Sequence, residues 1–210
     1  MATVLRRGLD PGAGPIRDGA AGQLPPAAIG RQDEPPPGLG FDPVRFGLLA
    51  FMVTVSMLFV SFTSAYVVRR AAADWAPLAL PPLLYLNTLL LVASSFTLEC
   101  ARRSRGARHL WLVTTAALAA GFMLGQLGAW GQLAELGFFL ASNPHSSFFY
   151  MLTGVHGLHL VGGFSWLLVL VPRSAQGALA PESPALGRLA IFWHFLTALW
   201  LYLLLLLFVI

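Results

Sequence analysis

The chain has 210 residues, 57% of them hydrophobic and only 10% charged, with a formal net charge of +4. Soluble domains carry roughly 25% charged residues, so this chain lacks the polar groups to cover a water-facing surface. Every basic residue is an arginine, placed between apolar runs, which excludes the continuous basic face of a nucleic-acid binder. The single cysteine, Cys100, excludes an internal disulfide and a thiolate metal site.

Residues 1–42 differ in kind from the rest. LPPAAIG and DEPPPGLG are rich in Pro, Gly and Ala, with scattered charges. Such composition predicts a disordered, cytoplasmic tail, and it holds no apolar stretch long enough for a signal peptide. Residues 43–210 read as one all-α membrane bundle. A crossing takes about 20 apolar residues, and five runs qualify: Phe46 to Val68, Leu78 to Leu98, Leu110 to Trp130, Phe148 to Val171 and Leu189 to Ile210. Arg69 and Arg70 end the first run; Pro77, Pro81 and Pro82 open the second, where a missing N–H is tolerated. Glu135 and the Asn143–Pro144 break end the third.

Orientation follows from the arginines. Arg6, Arg7, Arg17, Arg31, Arg45, Arg102, Arg103, Arg105, Arg108, Arg173 and Arg188 fall on one side, and only Arg69 and Arg70 on the other. The positive-inside rule then puts the N-terminus in the cytoplasm and Ile210 outside.

Within the runs, Gly121, Gly125 and Gly128 recur at helical spacing, with Gly154, Gly157, Gly162 and Gly163 doing the same on the fourth. Small residues so placed let neighbouring helices approach closely. Asn87, Thr88 and Gln126 lie at membrane depth, where the favoured role is hydrogen bonding between helices and the alternative is a polar path. His156 and His159 stand one turn apart inside the fourth run. Imidazoles at that depth are costly unless paired. A metal site would need a further ligand, and His194 is the candidate. Structural hydrogen bonding, or contact with a partner or lipid headgroup, is favoured over metal ligation or proton relay. The protein partners on offer are His194, Asn87, Ser94 and Ser95. Glu99 precedes Arg102 and Arg103 at ion-pair spacing. Trp75, Trp111, Trp130 and Tyr85 suit the membrane interface. The sequence has no phosphate-binding glycine loop, nucleophile elbow or CxxCH haem-attachment motif.

Five blocks, in order, resemble subunit III of the haem–copper respiratory oxidases in its shorter, five-helix bacterial form. They are RFGLLAFMVTVSMLFVSF; LPPLLYLNTLLLVASSFTLECA; GFMLGQLGAW; HSSFFYMLTGVHGLHLVGG, the most specific; and FWHFLTALWLYLLLLLF, with Trp193, His194, Phe195 and Trp200 in place. The resemblance covers nearly everything from Arg45 to Ile210. The chain departs from the family pattern where acids are usual, carrying Val55, Ala129 and Thr197 instead. Arg102 and Arg103 replace a histidine pair.

The resemblance implies an accessory, non-redox subunit of a terminal oxidase in the bacterial inner membrane. Haem and copper would belong to partner subunit I, with no cofactor in this chain. This subunit would pack against subunit I and other oxidase subunits, bind phospholipid, support lasting turnover and assist oxygen access. Its contact residues would be His156, His159, His194, Trp193, Asn87, Gln126, Glu99 and Arg102, none of them catalytic or metal-binding. The complex would carry electrons from cytochrome c to oxygen. The alternatives are the accessory subunit of a nitric oxide reductase or a quinol oxidase, or, in a different class, a small membrane transporter.

Overall fold

The computed structural model describes residues 42–73, 75, 81–104, 106–140, 142–179 and 183–209. The expected N-terminal tail lies outside the described residues, Asp42 excepted. Five helices make up the rest: α1 (Pro43–Arg70), α2 (Leu83–Arg103), α3 (Arg108–Glu135), α4 (Pro144–Ala175) and α5 (Pro184–Val209). No strand occurs among the described residues. Each helix is long and apolar enough to cross a membrane, as the five apolar runs predict. Helix α4 is the longest, with 32 residues, about 48 Å at 1.5 Å per residue.

The helix ends are written in local chemistry. Asp42 caps α1, accepting from the amides of Val44 and Arg45 at 3.1 and 3.3 Å, with Pro43 in the first turn. Asn143 caps α4 through a reciprocal capping box with Ser146, and Pro144 follows it. The break read at Asn143–Pro144 is thus a helix start, where proline costs nothing. Helices α3 and α4 stop at Gly137 and Gly177, with φ of 82° and 68°. Glycine tolerates that left-handed geometry, and the reversed chain returns an amide to the last turn: Phe138 to the Leu133 carbonyl and Ala178 to that of Arg173.

Helix α2 begins at Leu83, later than Leu78, and runs on to Arg103. Pro82 disfavours the helical conformation at the residue before it, so regular hydrogen bonding starts beyond the prolines. At the other end Glu99 accepts from Arg102 and Arg103 at 2.9 and 2.7 Å, which favours continued helix.

Helix α5 is the centre of the bundle and α1 its edge. Half of the α5 span is buried against 11% of the α1 span. Trp193, Leu196, Trp200 and Leu203 of α5 form the core with Leu91 and Leu98 of α2, Phe122 of α3 and Leu160 of α4. Helix α3 lies along α2, and α1 touches only α4 and α5.

A few polar links fix α1 to that edge. Arg188 of α5 reaches the Asp42 carboxylate at 2.9 Å. Desolvation opposes charge there, but the Arg45 amide and the Arg188 guanidinium outweigh it and hold the Asp42 carboxyl below its ordinary value. Farther along, Tyr202 of α5 donates to Thr63 at 2.8 Å. At the far end the Tyr66 hydroxyl lies 3.5 Å from His145 Nε2.

Candidate functional site

Helix α2 carries Asn87, Thr88, Ser94, Ser95, Thr97 and Glu99 on the sides turned to α3 and α5. Each of these meets a side chain from α3 or α5. Trp200 donates its indole N–H to Thr88 at 3.0 Å, and Trp193 donates to Ser94 at 3.1 Å. His194 Nδ1 lies 2.5 Å from the Ser95 hydroxyl, and its Nε2 stands 3.7 Å from Glu99. Toward α3, Thr97 and Thr115 pair at 2.8 Å, and Asn87 donates to the Gln126 carbonyl at 3.5 Å. These bonds join separate helices where water is scarce, each contributing about 0.6 kcal/mol on average.

The glycine spacing on α3 serves this seam. Gly121, Gly125 and Gly128 all face α2, and a β-carbon on Gly125 would come within 2.0 Å of Asn87 Oδ1. The missing side chain is what admits Asn87 between the two helices.

The histidine pair divides. His156 is fully buried, with its ring 5.3 Å from Trp200 and 6.3 Å from Phe122. Neither of its ring nitrogens has a hydrogen-bond partner among the described residues. His159 bonds to the Val155 carbonyl of its own helix at 2.7 Å, and its ring packs against Phe51 and Phe59 of α1. Of the two expected partners, a neighbouring helix or a lipid headgroup, the neighbouring helices supply no hydrogen bond to either imidazole among the described residues. Three residues along a helix turn 300°, and the short remaining angle still separates the side facing α3 and α5 from the side facing α1. His194, Asn87, Ser94 and Ser95, read as partners for the pair, bond elsewhere in the seam.

In the sequence His145 stands out only as the first residue of the fourth block. It is buried, stacked on Trp75 at 4.8 Å and 18°, with Tyr66 in edge contact against it and Phe148 edge-on to Tyr66 in turn. Its position next to the Asn143 cap, at the start of an apolar helix, was the available signal. Trp130, expected as an interface anchor, donates its indole N–H to Thr153 of α4 at 3.1 Å.

Val55, Ala129 and Thr197, the positions where the resemblance expects acids, are all buried. Thr197 satisfies its hydroxyl on the Trp193 carbonyl one turn back at 3.0 Å. Acid-dependent chemistry at these positions has no group to perform it here.

Among the described residues no three His, Cys, Asp or Glu side chains come close enough together to hold a metal ion. His156 is enclosed by aromatic rings, and the second nitrogen of His194 faces a carboxylate already engaged by two arginines.

The family model for cytochrome c oxidase subunit III matches residues 40–210, which takes in all five helices. The chain belongs to the cytochrome c oxidase subunit III family. It is 33% identical to cytochrome c oxidase subunit 3 of a Synechocystis strain over 168 residues, covering 74% of this chain and 71% of the relative. It is 31% identical to the protein of that name from Thermostichus vulcanus, over 78% of this chain and 85% of the relative. A third relative, cytochrome bo(3) ubiquinol oxidase subunit 3 of Pseudomonas aeruginosa, is 29% identical over 74% of this chain and 79% of its own length. In this member of the subunit III family, the LNT phrase of the second block is the Asn87 that Gly125 accommodates and the Thr88 that Trp200 binds. The WHF phrase of the last block supplies both indole and imidazole to Ser94 and Ser95.

Filling Gly125 tests the seam. Gly125→Ala should lower stability in detergent by about 1–3 kcal/mol, as overpacking does. Adding Asn87→Ala should restore part of that loss, because the clash is with the Asn87 amide. Equal losses in single and double variants, measured by denaturant unfolding, would place the cost elsewhere.

Proposed function

We propose that this chain is the accessory, non-redox subunit III of a haem–copper terminal oxidase, held in the bacterial inner membrane. It packs against subunit I, which carries the haem and copper, and contributes stability and sustained turnover to the complex. The observation that carries this reading is the α2 seam in a chain of this family. Its polar side chains are taken up in joining helices, and among the described residues no three metal-binding side chains converge. His156, His159, His194, Trp193, Asn87, Gln126, Glu99 and Arg102 act as packing and contact groups in this account.

A phospholipid role has support at one end of the bundle. A cavity of about 960 Å³ between α1 and α4 is lined by Arg69, Ser61, Ser64, Asn143 and Ser147. An arginine beside hydroxyl and amide groups suits a phosphodiester headgroup, with apolar Val68 and Phe148 alongside for its tails.

The identity of the electron donor is a separate matter. The Pseudomonas aeruginosa relative is named for a quinol oxidase, so a quinol-oxidising complex is the second reading. A transporter reading needs a discontinuous helix or an intramembrane charge at a central site; all five helices here run unbroken, and Glu99, Arg102 and Arg103 lie in the last turns of α2.

Affinity purification of the tagged chain from its native membrane should bring down a haem- and copper-containing subunit. Removing this chain from that complex should leave the initial oxygen-reduction rate nearly normal while activity falls during turnover. Recovery of the chain without any haem protein, or an immediate loss of oxygen reduction on its removal, would contradict the proposal.

The eleven-to-two arginine asymmetry supports a cytoplasmic N-terminus. A reporter active only in the cytoplasm, fused after Ile210, should be silent; activity there would reverse the orientation.

A further inference from the structure

A second cavity, of about 410 Å³, opens between α1, α4 and α5. Phe51 of α1, Trp166 of α4 and Phe192 of α5 wall it, with His159 and Gly162 of α4 along one side. His159 is the sixteenth of the 32 residues of α4, so its ring stands at mid-helix depth, while Leu48, Phe51, Phe192 and Trp166 carry the cavity from there toward the Pro43 end of α1.

The chemistry of His159 is set by one bond. A carbonyl oxygen can only accept, so the bond to Val155 requires the hydrogen to sit on Nδ1. A neutral imidazole carries one N–H, which leaves Nε2 as an acceptor. That nitrogen has no hydrogen-bond partner among the described residues, and unlike the His156 nitrogens it is not sealed inside the bundle. The cavity therefore offers one fixed acceptor among aromatic walls, and the acceptor itself sits at mid-helix depth, where the hydrocarbon supplies no donors.

A saturated acyl chain fills apolar space and leaves the acceptor unanswered. A partner helix is too wide for a gap between helices of the same bundle, about 10 Å across with side chains. A flat ring bearing a hydroxyl meets both demands: its faces lie against the aromatic walls and its O–H donates to Nε2. We propose that this cavity binds a membrane-soluble hydroquinone, and that it selects the hydroquinone over the corresponding quinone. The quinone carries only carbonyl acceptors, so its oxygen would meet the lone pair of Nε2 with no hydrogen between them. Binding alone is proposed, with no electron transfer at this site.

Photolabelling tests it in membranes that contain the whole chain. The probes are a benzohydroquinone and the matching benzoquinone, each with a short isoprenoid tail carrying a diazirine, kept anaerobic and mapped by mass spectrometry of the digested chain. The hydroquinone should label the α1 or α4 residues around the cavity at least fivefold more than the quinone. His159→Phe should bring the two to the same low level. Gly162→Leu should abolish labelling by both, because a side chain there enters open space while His159 stays intact. Equal labelling by the two forms would overturn the proposal. So would labelling confined to other chains, or labelling that phospholipid alone displaces. If His159→Phe fails to fold, the comparison of the two probes on the wild-type chain and the Gly162→Leu variant still decide. The experiment needs only the chain in its membrane, so its failure leaves the accessory-subunit reading untouched.

Discussion

The constraint that organises this bundle is the absence of water inside the bilayer. A polar side chain at that depth is costly unless its partner lies within the protein, and among the described residues only Asn87 Oδ1, Gln126 Nε2 and the two His156 nitrogens are buried with none. The α2 seam is the response. Ser94, Ser95 and Thr88 receive Trp193, His194 and Trp200 from α5, while Thr97 and Asn87 meet Thr115 and Gln126 from α3. Because lipid tails are as apolar as leucine, apolar burial discriminates poorly among ways of packing five greasy helices. Directional bonds at fixed heights do discriminate. They set the rotation and vertical register of α5 against α2, and the tryptophans they anchor fill the core.

Helix α1 shows the same logic with less burial. Its links to the rest are a capped ion pair at Asp42 and Arg188, a hydroxyl pair at Tyr202 and Thr63, and aromatic contacts around Tyr66 and His159. Between these ties the helix is open to its surroundings, and both cavities discussed above lie along it. A peripheral helix fastened at separated points leaves gaps for membrane-soluble molecules that a fully packed helix would close.

Much of this was legible in the sequence, for a physical reason. Five apolar runs of spanning length have few alternatives in a membrane, and the caps at Asp42 and Asn143 mark their own helix starts. The family followed from ordered blocks. What could not be read was which neighbour each buried side chain would meet. His156 and His159 share one turn of sequence, yet one ring enters the core and the other faces α1. Spacing gives angles about one helix axis and says nothing of where the other axes stand. The prolines before α2 signalled a helix start without fixing it, and the helix forms only past them. Gly125 looked like one small residue among several until its contact showed that it makes room for Asn87.

The polar seam between α2 and α5 holds the two helices together. A double-mutant cycle on Ser94 and Trp193, both fully buried, measures it most directly. Ser94→Ala, Trp193→Phe and the double variant would be unfolded in detergent micelles and compared with the wild-type chain. A coupling energy of about 0.6 kcal/mol, and up to about 1.7 kcal/mol, is predicted from bonds of this kind. A coupling indistinguishable from zero would mean that the indole and the hydroxyl are neighbours without holding the helices together, and the account would fail at its centre.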